Sequence, residues 1–271
     1  MLEKNKKVYA IIQARMGAIR LPDKVLLELL PGKTVIDCMI DRVKRAKLVD
    51  VIIIATTENP KDKKLIEHLE SINQKYFVGD ENDVLDRYYQ TAKQYGARPD
   101  DIIIRLTADC PVIDPSNIDK LIKIYLDNKY DFVSNTLEPY SWPDGMDVEI
   151  FSFGNLEKAW QEAKLPSHRE HVTFYFWQNT EKFKIYYDKN ERNLSGYRLT
   201  LDYKEDYELL KKIYEHFNAQ GKNGDFSTQD IINFLDTNPD IRSINSEAKR
   251  NAGWQSALAK DKELEIKDNH C

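Results

Sequence analysis

The sequence predicts a three-layer α/β/α fold built on a mostly parallel central sheet. Short β-rich runs of strand length recur along the chain, among them VYAII (8–12), VIIIATT (51–57) and DIIIRL (101–106). Stretches with apolar residues at helical spacing separate them. Strand alternating with helix implies parallel strands covered by helices on both faces.

The elements follow in order. VYAII reads as a central strand. In TVIDCMIDRVKRAK (34–47), Val35, Ile36, Met39, Ile40 and Val43 share a helical face, with Thr34 as N-cap. VIIIATT is the next strand, 61–71 a helix and KYFVG (75–79) a short strand. DVLDRYYQTAKQY (83–95) aligns Val84, Leu85, Tyr88, Tyr89, Ala92 and Tyr95 on one face. DIIIRL is apolar almost throughout, hence a buried strand. A helix over 115–126 and a strand DFVSN (131–135) follow. From 137 to 187 the pattern changes. MDVEIF and KIYY read as strands, and two helices flank LPSHRE. This stretch reads as an insertion beside the sheet, a lid or a dimer arm. YRLTL (197–201) returns to the sheet, and EDYELLKKIYEHF (205–217) packs as a helix. Residues 1–245 thus form one domain, and 246–271 a polar tail with a loosely attached helix.

Composition narrows the function. The chain has 271 residues, 41% hydrophobic and 31% charged, enough for a sizeable core. A net charge of −5 argues against nucleic acid as a partner. Cys38, Cys110 and Cys271 are too widely spaced for a disulfide framework or a zinc site. The start, MLEKNKKVYAII, lacks the long apolar stretch of a secretion signal, and no run approaches a membrane span. A cytoplasmic protein without a membrane partner is expected.

Three polar clusters carry the chemistry. In IIQARMGAIRLPDKVL (11–26), Arg15, Arg20 and Lys24 follow the first strand within one loop; Gly17 permits close backbone approach and Pro22 stiffens the exit. Backbone N–H groups with Arg and Lys make a phosphate cradle. In RLTADCP, Asp109 follows strand 101–106; in RLTLDYKED, Asp202 follows 197–201. Ligands of open α/β sheets bind outside the carboxyl ends of the strands, so the three clusters share one crevice. Bases for phosphates and two carboxylates for Mg²⁺ form a coherent set. Each also has a plainer reading. Asp109 suits a turn, and Asp202 is equally placed to cap the helix starting near Lys204. PGKT (31–34) is not a Walker A motif, because the first glycine position holds Leu27. No G-x-G-x-x-G follows the first strand.

At these residues the chain resembles the SpsF-like cytidylyltransferases, relatives of the CMP-Kdo and CMP-sialic acid synthetases. The resemblance runs through IIQARMGAIRLPDKVL, VIIIATTENPKDKKL, ENDVLDRYY, RLTADCPVIDP, PDGMDVEIF, REHVTFYF and RLTLDYKEDYELL, in that order. It implies a nucleotidyltransferase fold and transfer of CMP from CTP to an acceptor. It also implies that Arg15 and Lys24 hold the triphosphate, within a nucleotide-binding set of Gln13, Ala14, Arg15, Met16, Gly17, Ala18, Arg20 and Lys24. Asp109 and Asp202 would carry Mg²⁺, making Arg15, Lys24, Asp109 and Asp202 the catalytic group. Gly79, Asp80, Asp83 and Arg87 stand where relatives read cytosine and ribose. Ala18 and Ile19 replace the Ser and Thr usual in such loops. That substitution motivates a rival reading, a nucleotide-binding protein without turnover; a transferase using another nucleotide is a second.

Acceptor recognition is expected in the second half, at Asp144, Asp147, Glu149, Arg169 and His171. Period-two alternation puts Asp147 and Glu149 on one strand face. Arg169 and His171 suit a carboxylate or phosphate on a small acidic acceptor. Arg169 equally suits a structural ion pair, and His171 either a general base or a structural role. Relatives often dimerise, so a homodimer through 137–187 is expected.

Overall fold

The computed structural model describes residues 6–248, 250, 257–259 and 261. Among the described residues the strands include β1 (Val8–Gln13), β2 (Glu28–Leu30), β3 (Lys33–Thr34), β4 (Val51–Thr57), β5 (Tyr76–Gly79), β6 (Ile102–Thr107), β7 (Phe132–Ser134), β8 (Glu149–Ser152) and β9 (Ile185–Tyr187). The α-helices include α1 (Val35–Val43), α2 (Lys63–Ser71), α3 (Val84–Gln94), α4 (Pro115–Asn128), α5 (Phe153–Glu162), α6 (Pro166–His171), α7 (Phe174–Trp177), α8 (Lys204–Ala219), α9 (Thr228–Thr237) and α10 (Pro239–Arg242). Seven strands form one sheet in the order β5-β4-β1-β6-β8-β7-β9. β1 runs parallel to both neighbours, Gln13 meeting Ala55 on one side and Thr107 on the other. β8 alone runs against its neighbours β6 and β7.

Alternation along β1 divides the core. Val8, Ala10 and Ile12 pack with Met39 and Ile40 of α1, Leu65 of α2 and Ile118 of α4. Tyr9 and Ile11 face the other way, toward Leu85 and Tyr88 of α3 and Leu156 of α5. The three layers follow directly. Thr34 caps α1 as expected, in a reciprocal capping box with Asp37. PGKT, set aside as a phosphate motif, is the turn of the β2–β3 hairpin and the start of that cap. No helix among the described residues is long and apolar enough to cross a membrane.

Four expectations are corrected. The 137–187 stretch does not lie beside the sheet: β8 sits in its interior and β9 at its edge. MDVEIF explains this, because Val148 and Ile150 enter one core while Phe151 enters the other, a strand apolar on both faces. β8 starts at Glu149, so Asp147 precedes the strand. LPSHRE, expected between two helices, is itself the entry to and body of a helix, α6, with Pro166 at a first-turn position where its missing N–H costs nothing. YRLTL is not a sheet strand. It is an extended segment laid across two strand-end loops, with Leu199 N donating to Asp144 O (2.7 Å) and Leu201 N to Asp109 O (2.8 Å). Its one ladder contact is a parallel bridge between Asp144 and Arg198. Leu199 and Leu201 pack with α8 and α9 in a third apolar cluster, leaving Arg198 and Thr200 to face the crevice. Most of the 246–271 tail lies outside the described residues. Of the rest, Ala257 is buried and Asp261 accepts from Ser167 N at the start of α6 (3.0 Å).

Candidate active site

The strand ends around β1 and β6 open into a cavity of about 810 Å³. The basic loop after β1 forms one wall, and its backbone is pinned from outside. Asp62, wholly buried, accepts from Met16 N (2.7 Å), Thr56 Oγ1 (3.0 Å), Thr57 N (3.1 Å) and Thr57 Oγ1 (2.5 Å). Four donors on one carboxylate fix where the loop leaves the sheet. Asp23, at φ 57°, then turns the chain into a single 3-10 turn, Lys24–Leu26, whose Val25 is buried. Lys24 is thereby aimed inward, beside Arg15 and Arg20.

Opposite this loop, Asp109 and Asp202 converge. Lys24 Nζ lies between them, 2.9 Å from Asp109 Oδ2 and 3.0 Å from Asp202 Oδ1, and also donates to Leu201 O at 2.7 Å. Burial opposes the Lys24 charge, but the two carboxylates outweigh it and raise its pKa. Burial likewise opposes the Asp109 charge; Lys24 and a Thr107 hydrogen bond reverse this and lower its pKa. Asp202 Oδ2 pairs with Arg20 (2.9 Å) and Arg198 (3.4 Å). The α8 cap, the alternative role for Asp202, falls instead to Asp206, which accepts from the N–H groups of Asp202 (2.9 Å) and Tyr203 (3.0 Å).

The 79–87 segment forms a second wall. Arg87, 2% exposed, donates Nη1 to Asp80 O (2.7 Å) and so supports the loop from beneath. A Cβ on Gly79 would stand 2.8 Å from the Phe77 ring and 3.2 Å from the Arg87 stem, so any larger residue would have to push these side chains aside. Asp83 caps α3 by accepting from Asp86 N (2.9 Å), and also accepts from Arg169 Nε (2.9 Å).

The far end gathers the residues expected at the acceptor. Glu149 is buried and doubly engaged, by Arg105 and by Thr173 Oγ1 (2.7 Å). Asp144 pairs with Arg198 at 2.7 Å. Arg169 forms the ion pair that sequence left as its alternative, joining α6 to α3 through Asp83, and donates Nη1 to Trp160 O (2.8 Å). His171 lines the cavity and stacks on Phe174. Asp147 differs from the others. Its Oδ1 is buried without a hydrogen bond, with Arg250 Nη2 no nearer than 3.6 Å. Burial, with Asp144 and Glu149 nearby, pushes its pKa up to about 7 against the pull of Arg250.

A family profile described as "Cytidylyltransferase" matches residues 9–231. The chain belongs to the cytidylyltransferase family. It is therefore a nucleotidyltransferase enzyme. It is 33% identical to the spore coat polysaccharide biosynthesis protein SpsF of Bacillus subtilis over 239 residues, 85% of this chain and 94% of that one. A cytidylyltransferase of known structure from Leptospira borgpetersenii superposes with a TM-score of 0.81 at 39% identity, covering 88% of this chain and 97% of that one. A CMP:2-keto-3-deoxy-manno-octonic acid synthetase solved with CTP shares the fold, with a TM-score of 0.60 at 16% identity over 78% of this chain and 100% of its own.

In this cytidylyltransferase nearly every residue singled out from sequence lines the one cavity; Met16, Gly17 and Gly79 do not. Met16 is buried and serves through its backbone, and Gly17 and Gly79 provide clearance, a Cβ on Gly17 meeting Glu81 Oε1 at 3.3 Å. Sequence reasoning missed Glu81, Arg105, Thr107, Arg198 and Thr200, which also line it. Arg105 was visible as the one charge in an apolar strand. Arg198 was visible at the alternation position it shares with Thr200. Among the described residues no group of three or more His, Cys, Asp or Glu side chains forms a ready metal cage. Two carboxylates meeting on one cation still suit Mg²⁺, which uses one or two protein carboxylates with substrate phosphates.

Proposed function

We propose that this enzyme transfers CMP from CTP to a small acidic acceptor, a sugar acid or a phosphate- or phosphonate-bearing compound, and releases pyrophosphate. The product would serve surface-glycan or polysaccharide precursor synthesis in the cytoplasm. The observation that carries the reading is the convergence of Lys24, Asp109 and Asp202 opposite a basic loop whose backbone is pinned by Asp62.

An acceptor oxygen attacks the α-phosphorus in line and the pyrophosphate oxygen departs. Such transfers depend on positioning and charge neutralisation. Arg15 and Arg20 at the cavity mouth neutralise the β- and γ-phosphates, joined by the Lys24 ammonium. The loop N–H at Ala18 donates where relatives add a hydroxyl; Ile19 is 96% exposed and offers no polar group. Asp109 and Asp202 would hold Mg²⁺, which supplies Lewis-acid polarisation of the phosphates. The 79–87 loop, held by Arg87, takes the nucleoside, and the Asp144–Asp147–Glu149 end takes the acceptor. The 137–187 stretch would also carry a homodimer contact.

The test is thermal denaturation with Mg²⁺ and CTP, UTP, GTP or ATP, then pyrophosphate release over a panel beginning with 3-deoxy-manno-octulosonate. A ligand at 100 times its Kd stabilises by about 2.7 kcal/mol, a readable shift. CTP alone should shift the transition, and an acceptor should then release pyrophosphate. A larger shift with another nucleotide would reassign the donor. CTP binding with no release across the panel would favour a binding protein.

A further inference from the structure

Lys24 has three N–H bonds, and Asp109 Oδ2, Asp202 Oδ1 and Leu201 O accept them within 2.7–3.0 Å. An ammonium so engaged has no donor left for a phosphate. This differs from the expectation that Lys24 simply waits for the triphosphate. It also places a positive charge where the two candidate metal ligands meet.

We infer that Lys24 is the resident cation of the Asp109–Asp202 pair: it holds the two carboxylates together, excludes a divalent cation that arrives alone, and releases them when phosphates of a nucleotide take the ammonium. The inference rests on the reading of Asp109 and Asp202 as metal ligands. Two carboxylates this close repel each other unless a cation stands between them, and Lys24 touches both. Asp202 has further ion pairs with Arg20 and Arg198, whereas Asp109 is ion-paired with Lys24 and otherwise supported by neutral groups, the Thr107 hydroxyl and, weakly, Cys110 Sγ at 3.7 Å. The ammonium rides on a flexible four-carbon stem, so it can change partners without backbone motion. The basic loop that carries it is the same loop that faces the phosphates. A phosphate there offers it charged acceptors equal to those it gives up.

The probe is Mn²⁺, with free ion counted by electron paramagnetic resonance in the absence of nucleotide. Wild type is compared with Lys24→Met and Lys24→Gln, each checked for folding by its melting transition. Lys24→Met should bind Mn²⁺ without nucleotide about tenfold tighter than wild type or better, a tenfold change being roughly 1.4 kcal/mol. Adding Asp109→Asn to that variant should abolish the gain. CTP should raise the Mn²⁺ affinity of wild type and narrow the gap. Equal or weaker Mn²⁺ binding by Lys24→Met overturns the inference. If only Lys24→Gln folds, it carries the same comparison. If neither folds, tight Mn²⁺ binding by wild type without nucleotide overturns it, and binding that requires CTP supports it. CTP protection of wild type is read separately. Should CTP fail to bind while Lys24→Met gains Mn²⁺, the resident cation stands and the nucleotide reading falls; the reverse pattern does the opposite.

Discussion

Gly145 is the residue on which the acceptor end and the carboxylate pair both lean, and Gly145→Ala tests that directly. Its φ is +97°, a conformation L side chains rarely adopt. A Cβ there would meet Leu199 C at 2.5 Å, Thr200 N at 2.5 Å and Leu199 O at 2.6 Å, all backbone atoms. The backbone penalty is about 1–3 kcal/mol. Overpacking against a segment that must retreat adds about 1–3 kcal/mol. The expected loss is therefore roughly 2–6 kcal/mol, a large share of the roughly 5–15 kcal/mol typical of a whole domain. The retreat also has a direction. Segment 197–201 is tied to Asp144 by hydrogen bonds of 2.7 and 3.0 Å, and it ends on Asp202 beside Lys24. Displacement by about 1 Å at a reacting centre can cost on the order of a hundredfold in rate. Urea denaturation gives the stability, and pyrophosphate release gives the rate. A variant that loses under about 0.5 kcal/mol, within the range of an ordinary surface change, would refute the argument that this crossing is tight.

Three further outcomes are expected. Asp109→Asn should slow pyrophosphate release by roughly 10²–10³-fold with its melting transition retained, as for loss of an electrostatic contact made in the transition state; a folded variant at near-normal rate would remove Asp109 from the chemistry. Asp62→Ala should cost about 2–4 kcal/mol, because it strands buried donors, and should weaken CTP protection by loosening the loop at Met16; unchanged CTP protection would show that the pin is not needed. Burial pushes the Asp147 carboxyl up to about 7 from an ordinary 3.8, so the folded state holds that proton more tightly than the unfolded chain. Its contribution is full below pH 3.8 and is lost as pH rises through about 7. Asp147→Asn stays neutral throughout, so the variant should gain on wild type in melting temperature from pH 4 to pH 8, and a constant difference between them would count against the raised pKa.

Much of this was legible because it is local. β1, β4 and β6 announce themselves as apolar runs, and α1 and α3 by spacing and caps. The basic loop and both aspartates were legible for the same reason, each following a recognisable segment. What failed was partnership. YRLTL has the alternation of a strand, but alternation cannot say whether the backbone beside it is a strand or a pair of loops. The pairing of Arg105 with Glu149 spans 44 residues, and that of Arg198 with Asp144 spans 54. For Arg169 the sequence leaves an acceptor contact and a structural ion pair equally open, and it cannot name the partner, Asp83, 86 residues away. Side-chain type suggests what a residue can bind; only the fold decides what already occupies it.

That occupation bears on how an enzyme of net charge −5 takes a polyanion. Among the described residues, six of the seven Lys and Arg side chains that line the cavity are ion-paired in advance: Arg15 with Glu81, Arg20 and Lys24 with Asp202, Lys24 with Asp109, Arg105 with Glu149, Arg169 with Asp83 and Arg198 with Asp144; the seventh, Arg87, donates to Asp80 O. Binding is then an exchange of ion pairs, not a gain of new ones. An anion alone would draw Arg20 and Lys24 away and leave Asp109 without its cation, facing an Asp202 held by Arg198, which costs several kcal/mol in a shielded site. A cation alone would have to displace Lys24 with nowhere for its charge to go. On the proposed function, a ligand that brings both charges would satisfy both sides of the exchange at once, its phosphates taken by Arg15, Arg20 and Lys24 and its cation by the two carboxylates. On this argument the pre-formed pairs are themselves a selectivity device, because they favour a metal-bearing triphosphate over the free phosphate, pyrophosphate and divalent ions that surround it.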